Sequence, residues 1–148
     1  MAQSGDPSLR FREEVPSTTG ELHRLRGVVE REAVRVGFDP ETAFRMSLAV
    51  DEACSNIIRH SYRNNPAEQF TVEISVDDDL FIVHLIDHGA SYDPSGAGAF
   101  DRQAYLNAMR PGGLGLHIIR MVMDDISYET IGEHNHLRLV KRVPGGSL

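Results

Sequence analysis

The sequence predicts an α+β domain built as a two-layer α/β sandwich, a mostly antiparallel sheet with helices on one face. Three observations lead there. Two segments with apolar residues at helical spacing come first, from Leu22 and from Pro40. Two alternating runs then flank a short acidic turn, the signature of an antiparallel hairpin. A third helical segment leads into a closing pair of strand-like runs. Because strands and helices do not alternate one for one, a doubly wound parallel sheet is set aside.

The elements follow in order. Leu9 to Val15 alternates weakly and stops at Pro16, which reads as a short strand. Ser17, Thr18 and Thr19 offer hydroxyl caps ahead of a helix whose Leu22, Leu25, Val29, Ala33 and Val36 share one face. Gly37 ends it, and Asp39-Pro40 restarts the chain as N-cap and first helical residue. The second helix is expected to run to about Arg63 and to break at Asn64-Asn65-Pro66, with Met46, Val50, Ala53 and Ile57 as its apolar stripe. Phe70, Val72, Ile74 and Val76 alternate with polar residues in a half-buried strand. Asp77 to Asp79 makes the turn, and Leu80 to Ile86 forms a more apolar second strand. From Gly89 to Gly113 runs a Gly-, Ser-, Asp- and Pro-rich loop with room for a short helix around Arg102 to Ala108. A loop of that length in a compact domain is usually functional. Leu114, Leu116, Ile118, Ile119, Val122 and Met123 mark a helix apolar on most sides and therefore buried. Ile126 to Thr130 and His136 to Val143 close the fold as a hairpin around Gly132 to Asn135. One domain over 8–143 is expected, with a disordered tail at 144–148.

At 148 residues, with 41% hydrophobic and 25% charged side chains, the chain has the size and mix of one soluble globular domain. Its 22 acidic against 15 basic residues leave a net charge of −7. That balance argues against direct nucleic-acid binding, in which Lys and Arg must neutralise phosphates. The N-terminal segment lacks the apolar core of a secretion signal, and no run is long enough to span a bilayer. The single cysteine, Cys54, excludes an internal disulfide. These features point to the cytoplasm, with no membrane partner. Cys54 itself reads as a small buried thiol on the helix face beside Val50 and Ile57.

Three clusters carry candidate chemistry. Glu52, Asn56 and His60 recur at intervals of four, one polar strip along a helix whose next face is apolar. A carboxylate one turn from an amide oxygen can hold a divalent cation and take a proton from an attacking group. A solvated helix face accounts for the same spacing. Asp87-His88-Gly89 ends an apolar strand. Its carboxylate can accept a hydrogen bond from an exocyclic amine while Gly89 admits a flat base to the backbone; a turn with glycine at positive φ explains the same residues. Gly112-Gly113-Leu114-Gly115-Leu116 opens the buried helix, where free backbone N–H groups suit phosphate, although a flexible joint would look alike. No Lys-Ser/Thr follows as a Walker P-loop requires, and the dinucleotide fingerprint fails at Ile118. His134 and His136 lack the further ligands of a structural zinc. The ordered combination of the three clusters is far rarer than any one of them.

In that order the motifs resemble the GHKL ATP-binding superfamily, which includes gyrase, MutL and histidine-kinase catalytic domains. More narrowly the chain is similar to the bacterial anti-sigma-factor serine/threonine-protein kinases, the RsbW-like proteins, from Phe11 to about Arg142. LAVDEACSNIIRHSY resembles the N box, IDHGASYDP the first glycine box and PGGLGLHIIRMVMDDISY the second. The resemblance implies the Bergerat two-layer fold, with Glu52 as general base, Asn56 as Mg2+ ligand and Asp87 as the adenine-reading carboxylate beside Gly89. It places Gly113, Leu114, Gly115 and Leu116 at the phosphates of ATP, with the long loop as the ATP lid.

The resemblance further implies a homodimer that binds a sigma factor and uses Mg·ATP to phosphorylate a serine or threonine on a STAS-domain anti-sigma-factor antagonist. The alternative is an ATP-binding anti-sigma or partner-switch module without kinase activity. A sensor-kinase catalytic domain fits less well, since no phosphoacceptor helix precedes the site. Two positions depart from the wider pattern. Ser91 stands where many superfamily members carry a glycine, although the anti-sigma branch commonly reads as Asp87 to Asp93 does. Asn135-His136 stands where the last hairpin of many relatives has a Gly-Thr pair that helps bind adenine, so the resemblance assigns no binding role there.

Overall fold

The computed structural model describes residues 8–89 and 119–145. Its strands are β1 (Ser8–Pro16), β2 (Gln69–Asp77), β3 (Leu80–Asp87), β4 (Asp125–Ile131) and β5 (His134–Arg142). They form one sheet in the order β1-β2-β3-β5-β4, antiparallel at every neighbouring pair. Helices α1 (Leu22–Val36) and α2 (Pro40–Asn56) contribute to the same apolar core as the inner face of that sheet. This is the two-layer α+β arrangement the sequence predicts.

Helix boundaries follow from local chemistry. Gly37, at φ 122°, ends α1 and returns its N–H to the carbonyls of Ala33 and Val34. Asp39 caps α2 by accepting from the Thr42 N–H at 3.3 Å and from the Thr42 hydroxyl at 2.6 Å, with Pro40 opening the helix. Regular α-helical geometry stops at Asn56, and a π-helical turn over Ile57–Ser61 replaces the α-helix expected there. Arg63 and Asn64 then take positive φ, which turns the chain toward β2.

Side-chain alternation decides what the sheet turns inward. Phe70, Val72 and Ile74 of β2, Phe81, Val83 and Leu85 of β3, and Leu137 and Leu139 of β5 all join the core with Met46, Val50 and Ala53 of α2. The same period of two carries Asp87 and Asn135 to the inner face, where they are 4% and 1% exposed. On the outer face Arg12 pairs with Glu73, which lies 3.7 Å from His84, and His84 Nε2 meets His136 Nδ1 at 2.9 Å. Partial burial, with the positive field of His136, Arg138 and Arg12, lowers the His84 pKa to about 4, so its ring is neutral at pH 7.

The closing hairpin is tighter than its sequence suggests. Gly132, at φ 61°, allows the chain to reverse between Ile131 and His134, so β5 begins two residues before His136 and contains Asn135. Of the third helical segment, 119–122 are helical, with Ile119 buried. The short helix expected at Arg102 to Ala108 lies outside the described residues.

Phe81 is the clearest test of this core, being fully buried and edge-on to Phe38 with ring centroids 5.7 Å apart. Phe81→Ala is expected to cost about 3–5 kcal/mol of stability. The measurement is urea unfolding, with a lower midpoint at unchanged slope.

Candidate nucleotide-binding site

The site gathers where α2 ends against the end of β3. Glu52 and Asn56 lie one turn apart, and the Asn56 amide nitrogen donates to Glu52 Oε2 at 3.3 Å. Asn56 is buried while the Glu52 side chain keeps 24% of its surface. The Arg59 guanidinium closes on both, donating to Asn56 Oδ1 at 3.1 Å and reaching Glu52 Oε2 at 3.5 Å, and it also bonds the Ser55 hydroxyl. His60, the third member of the expected strip, is exposed. The strip thus ends with Arg59 facing Glu52 and Asn56, just where the helix widens into its π turn.

That turn sets the other half of the site. The Tyr62 N–H bonds the Ile57 carbonyl at 3.0 Å and the Asn64 N–H bonds the Ile58 carbonyl at 2.7 Å. Ser61 then presents its backbone to Gly89. A Cβ built on Gly89 would lie 2.4 Å from the Ser61 carbonyl oxygen and 2.9 Å from the Tyr62 ring. Gly89 is therefore required by close approach of the strand end to the helix end. Positive φ is not its reason, since the glycines with positive φ among the described residues are Gly37, Gly132 and Gly145. Tyr62 clamps the junction, its hydroxyl donating to the Gln69 carbonyl at 2.6 Å and accepting from the His88 N–H at 3.0 Å. Burial holds that hydroxyl un-ionised, pushed up to about 12.

Asp87 sits between these elements. Its Oδ1 accepts from the Gly89 N–H at 2.9 Å and from the Asn135 amide at 2.8 Å. Burial raises its pKa above the usual carboxylate range, opposed in turn by Asn135, the Gly89 N–H, the nearby His88 and the Ser61 hydroxyl. A partly desolvated carboxylate held by directed donors can accept a strong hydrogen bond from a ligand amine.

Of the residues singled out in the sequence, Glu52 and Asn56 are bonded to each other, and Asp87 and Gly89 pack on the end of the same helical segment. Gly113, Leu114, Gly115, Leu116 and Ser91 lie outside the described residues. Asn135, Arg59 and Tyr62 were not read from sequence as parts of the site. Asn135 is hidden by a strand boundary placed two residues late, while Arg59 and Tyr62 look like ordinary helix-end residues. Cys54 is fully buried, and that burial pushes its thiol further from ionisation, which suits a packing role rather than a nucleophile. Among the described residues no helix is long and apolar enough to cross a membrane.

The acidic-amide helix and the buried strand-end aspartate sit in an α+β domain of the ATPase class. The chain belongs to the histidine kinase-like ATPase domain family, whose model matches residues 15–141. It is 34% identical over 98 residues to the serine-protein kinase RsbW of Listeria monocytogenes serovar 1/2a, covering 64% of this chain and 62% of that relative. It is 29% identical over 116 residues to the serine-protein kinase RsbW of Bacillus cereus strain B4264, covering 76% and 72%. A chain in the crystal structure of the SiaB-SiaC complex from Pseudomonas aeruginosa superposes with a TM-score of 0.64 over 89% of both chains, and at 17% identity this shows a shared fold.

Two substitutions probe the geometry. Gly89→Ala forces a methyl group onto the Ser61 carbonyl and should lower stability by about 1–3 kcal/mol, seen as a reduced melting temperature. Asp87→Asn keeps an oxygen to accept from Gly89 and Asn135 but removes the buried charge. Because burial holds the folded Asp87 carboxyl above its ordinary value of 3.8, ionising it as pH rises destabilises the native state. The Asn variant should therefore be as stable as the parent or more so at neutral pH, the difference shrinking as pH falls through the carboxylate range. Melting curves across that range check the sign.

Proposed function

We propose that the chain is an anti-sigma factor and Mg·ATP-dependent serine/threonine-protein kinase, a single ATP-binding domain over 8–143. It binds a sigma factor, acts as a homodimer in the cytoplasm, and phosphorylates a serine or threonine on a STAS-domain anti-sigma-factor antagonist. The observation that carries this reading is the meeting of two motifs at one helix end: Glu52 and Asn56 on α2, and Asp87 with Gly89 packed against Ser61 and Tyr62. Family membership over 15–141 and similarity to proteins named serine-protein kinase RsbW support it.

The oxygens at this end of α2 support a Mg2+ site. Asn56 Oδ1 and the Glu52 carboxylate are hard oxygen donors on adjacent turns, the donor set this ion prefers. Asn56 would hold the ion, which neutralises phosphate charge during phosphoryl transfer. Asn56 is buried, and its oxygen accepts from Arg59, a bond the guanidinium gives up when the ion takes that oxygen. Glu52 is partly open to solvent, which supports its reading as the base that accepts the proton of an incoming serine or threonine hydroxyl. Asp87 accepts from the adenine amine, with Gly89 beside it. Gly113, Leu114, Gly115 and Leu116 supply the phosphate contacts that their motif implies.

The test incubates the protein with Mg·ATP and a STAS-domain protein from the same genome and reads the substrate by intact mass. One added phosphate is expected, and Glu52→Ala should slow transfer by about 10²–10⁴-fold while ATP remains bound. ATP binding and complex formation without any mass gain would instead favour the non-catalytic partner switch.

A further inference from the structure

We infer that Asn135 is the positioning residue that makes this site selective for a 6-aminopurine, through a relay running Thr130, Asn135, Asp87. The inference rests on the reading of Asp87 as the base-recognition carboxylate. Asn135 lies opposite Asp87 in the β3–β5 pairing and opposite Thr130 in the β4–β5 pairing, so one buried amide spans three strands. Its nitrogen donates to Asp87 Oδ1 at 2.8 Å and to the Gly89 carbonyl at 3.2 Å. Its oxygen accepts from the Thr130 hydroxyl at 3.0 Å.

This orientation is chemically enforced. A carbonyl and a carboxylate stand on one side of the amide, and both accept, so the NH2 group must face them. The amide oxygen is left to Thr130, whose hydroxyl can donate. The Asn135 and Gly89 donors both fall on Oδ1 of Asp87. Oδ2 takes neither of these two bonds and is the oxygen we assign to the base. An ionised Oδ2 accepts from a 6-amino group and repels a 6-oxo group, whereas a protonated Oδ2 donates and reverses that preference.

Burial pushes Asp87 toward the protonated form, and the groups that face it resist this: Asn135 from β5, Gly89 N–H and His88 from the strand end, and the Ser61 hydroxyl from the π turn. Asn135 heads that opposing set. It therefore holds the carboxylate in both the rotamer and the ionisation state that distinguish the two bases.

Affinities for ATP and inosine triphosphate, which differ in the 6-substituent, test this across a range of pH. The parent should prefer ATP by about tenfold to a hundredfold, as one charge-assisted hydrogen bond allows. Asn135→Ala should lose most of that preference, and its remaining preference should vanish at a higher pH than the parent's does on acidification. Asn135→Thr keeps a donor toward Asp87 and should restore the preference. Thr130→Val leaves Asn135 in place but frees its amide, so a partial loss is expected; this variant carries the test if Asn135→Ala does not fold. A folded Asn135→Ala with the parent's ATP to inosine triphosphate ratio and pH midpoint overturns the inference. So does equal weakening of both nucleotides. A parent that binds neither nucleotide overturns the ATP-site reading itself, a separate failure.

Discussion

The buried carboxylate of Asp87 is the constraint around which this end of the molecule is arranged. A charge with 4% of its residue surface exposed is expensive unless donors surround it. The inward alternation of β3 puts Asp87 there as surely as it puts Phe81, Val83 and Leu85 in the core. The fold answers with a backbone N–H from Gly89 and an amide from Asn135, and the Ser61 hydroxyl nearby also favours the ionised form. Three different elements must therefore converge on one side chain, which ties the strand pairing to the end of the helical layer.

The helical layer meets that demand by changing its pitch. Up to Asn56 the helix keeps Glu52 and Asn56 one turn apart, as a paired acid and amide require. Beyond it, the wider turn brings the Ser61 backbone against Gly89 and the Tyr62 hydroxyl between β2 and β3. π-helical turns are rare and concentrate at functional sites, where a side chain must be re-aimed without breaking the helix. Here the turn separates the part of the helix that carries Glu52 and Asn56 from the part that packs on the strand end bearing Asp87.

Much of this was legible in sequence because it rests on short-range rules. Asp39-Pro40 announced the start of α2, Gly37 the end of α1, and the alternation from Phe70 to Ile86 the central hairpin. The strip from Glu52 to Asn56 and the strand-end Asp87 were also visible, as spacing and position. What escaped depends on contacts between distant segments or on a boundary of two residues. Asn135 was read as part of a turn, and moving it into β5 gives it both of its partners. Of the two sequence readings of Gly89, the turn at positive φ fails, since its lack of a side chain accommodates Ser61 and not a backbone angle. The π turn has no compositional signature, so Arg59 replacing His60 beside Glu52 and Asn56 could not be foreseen.

The π turn also bears on how the chain can change length. Five residues fill Ile57–Ser61, and deleting one would let the segment relax into an ordinary α-helix. A π turn takes about one residue more than an α turn to complete the same rotation, so the residues after that deletion would keep nearly their bearing on the helix axis. A deletion within the regular helix Pro40–Asn56 has no such slack and would turn every later residue by about 100°, carrying Ser61 and Tyr62 away from Gly89 and His88. The extra residue held in Ile57–Ser61 is thus a place where the helical segment can shorten by one while the two halves of the site stay in register.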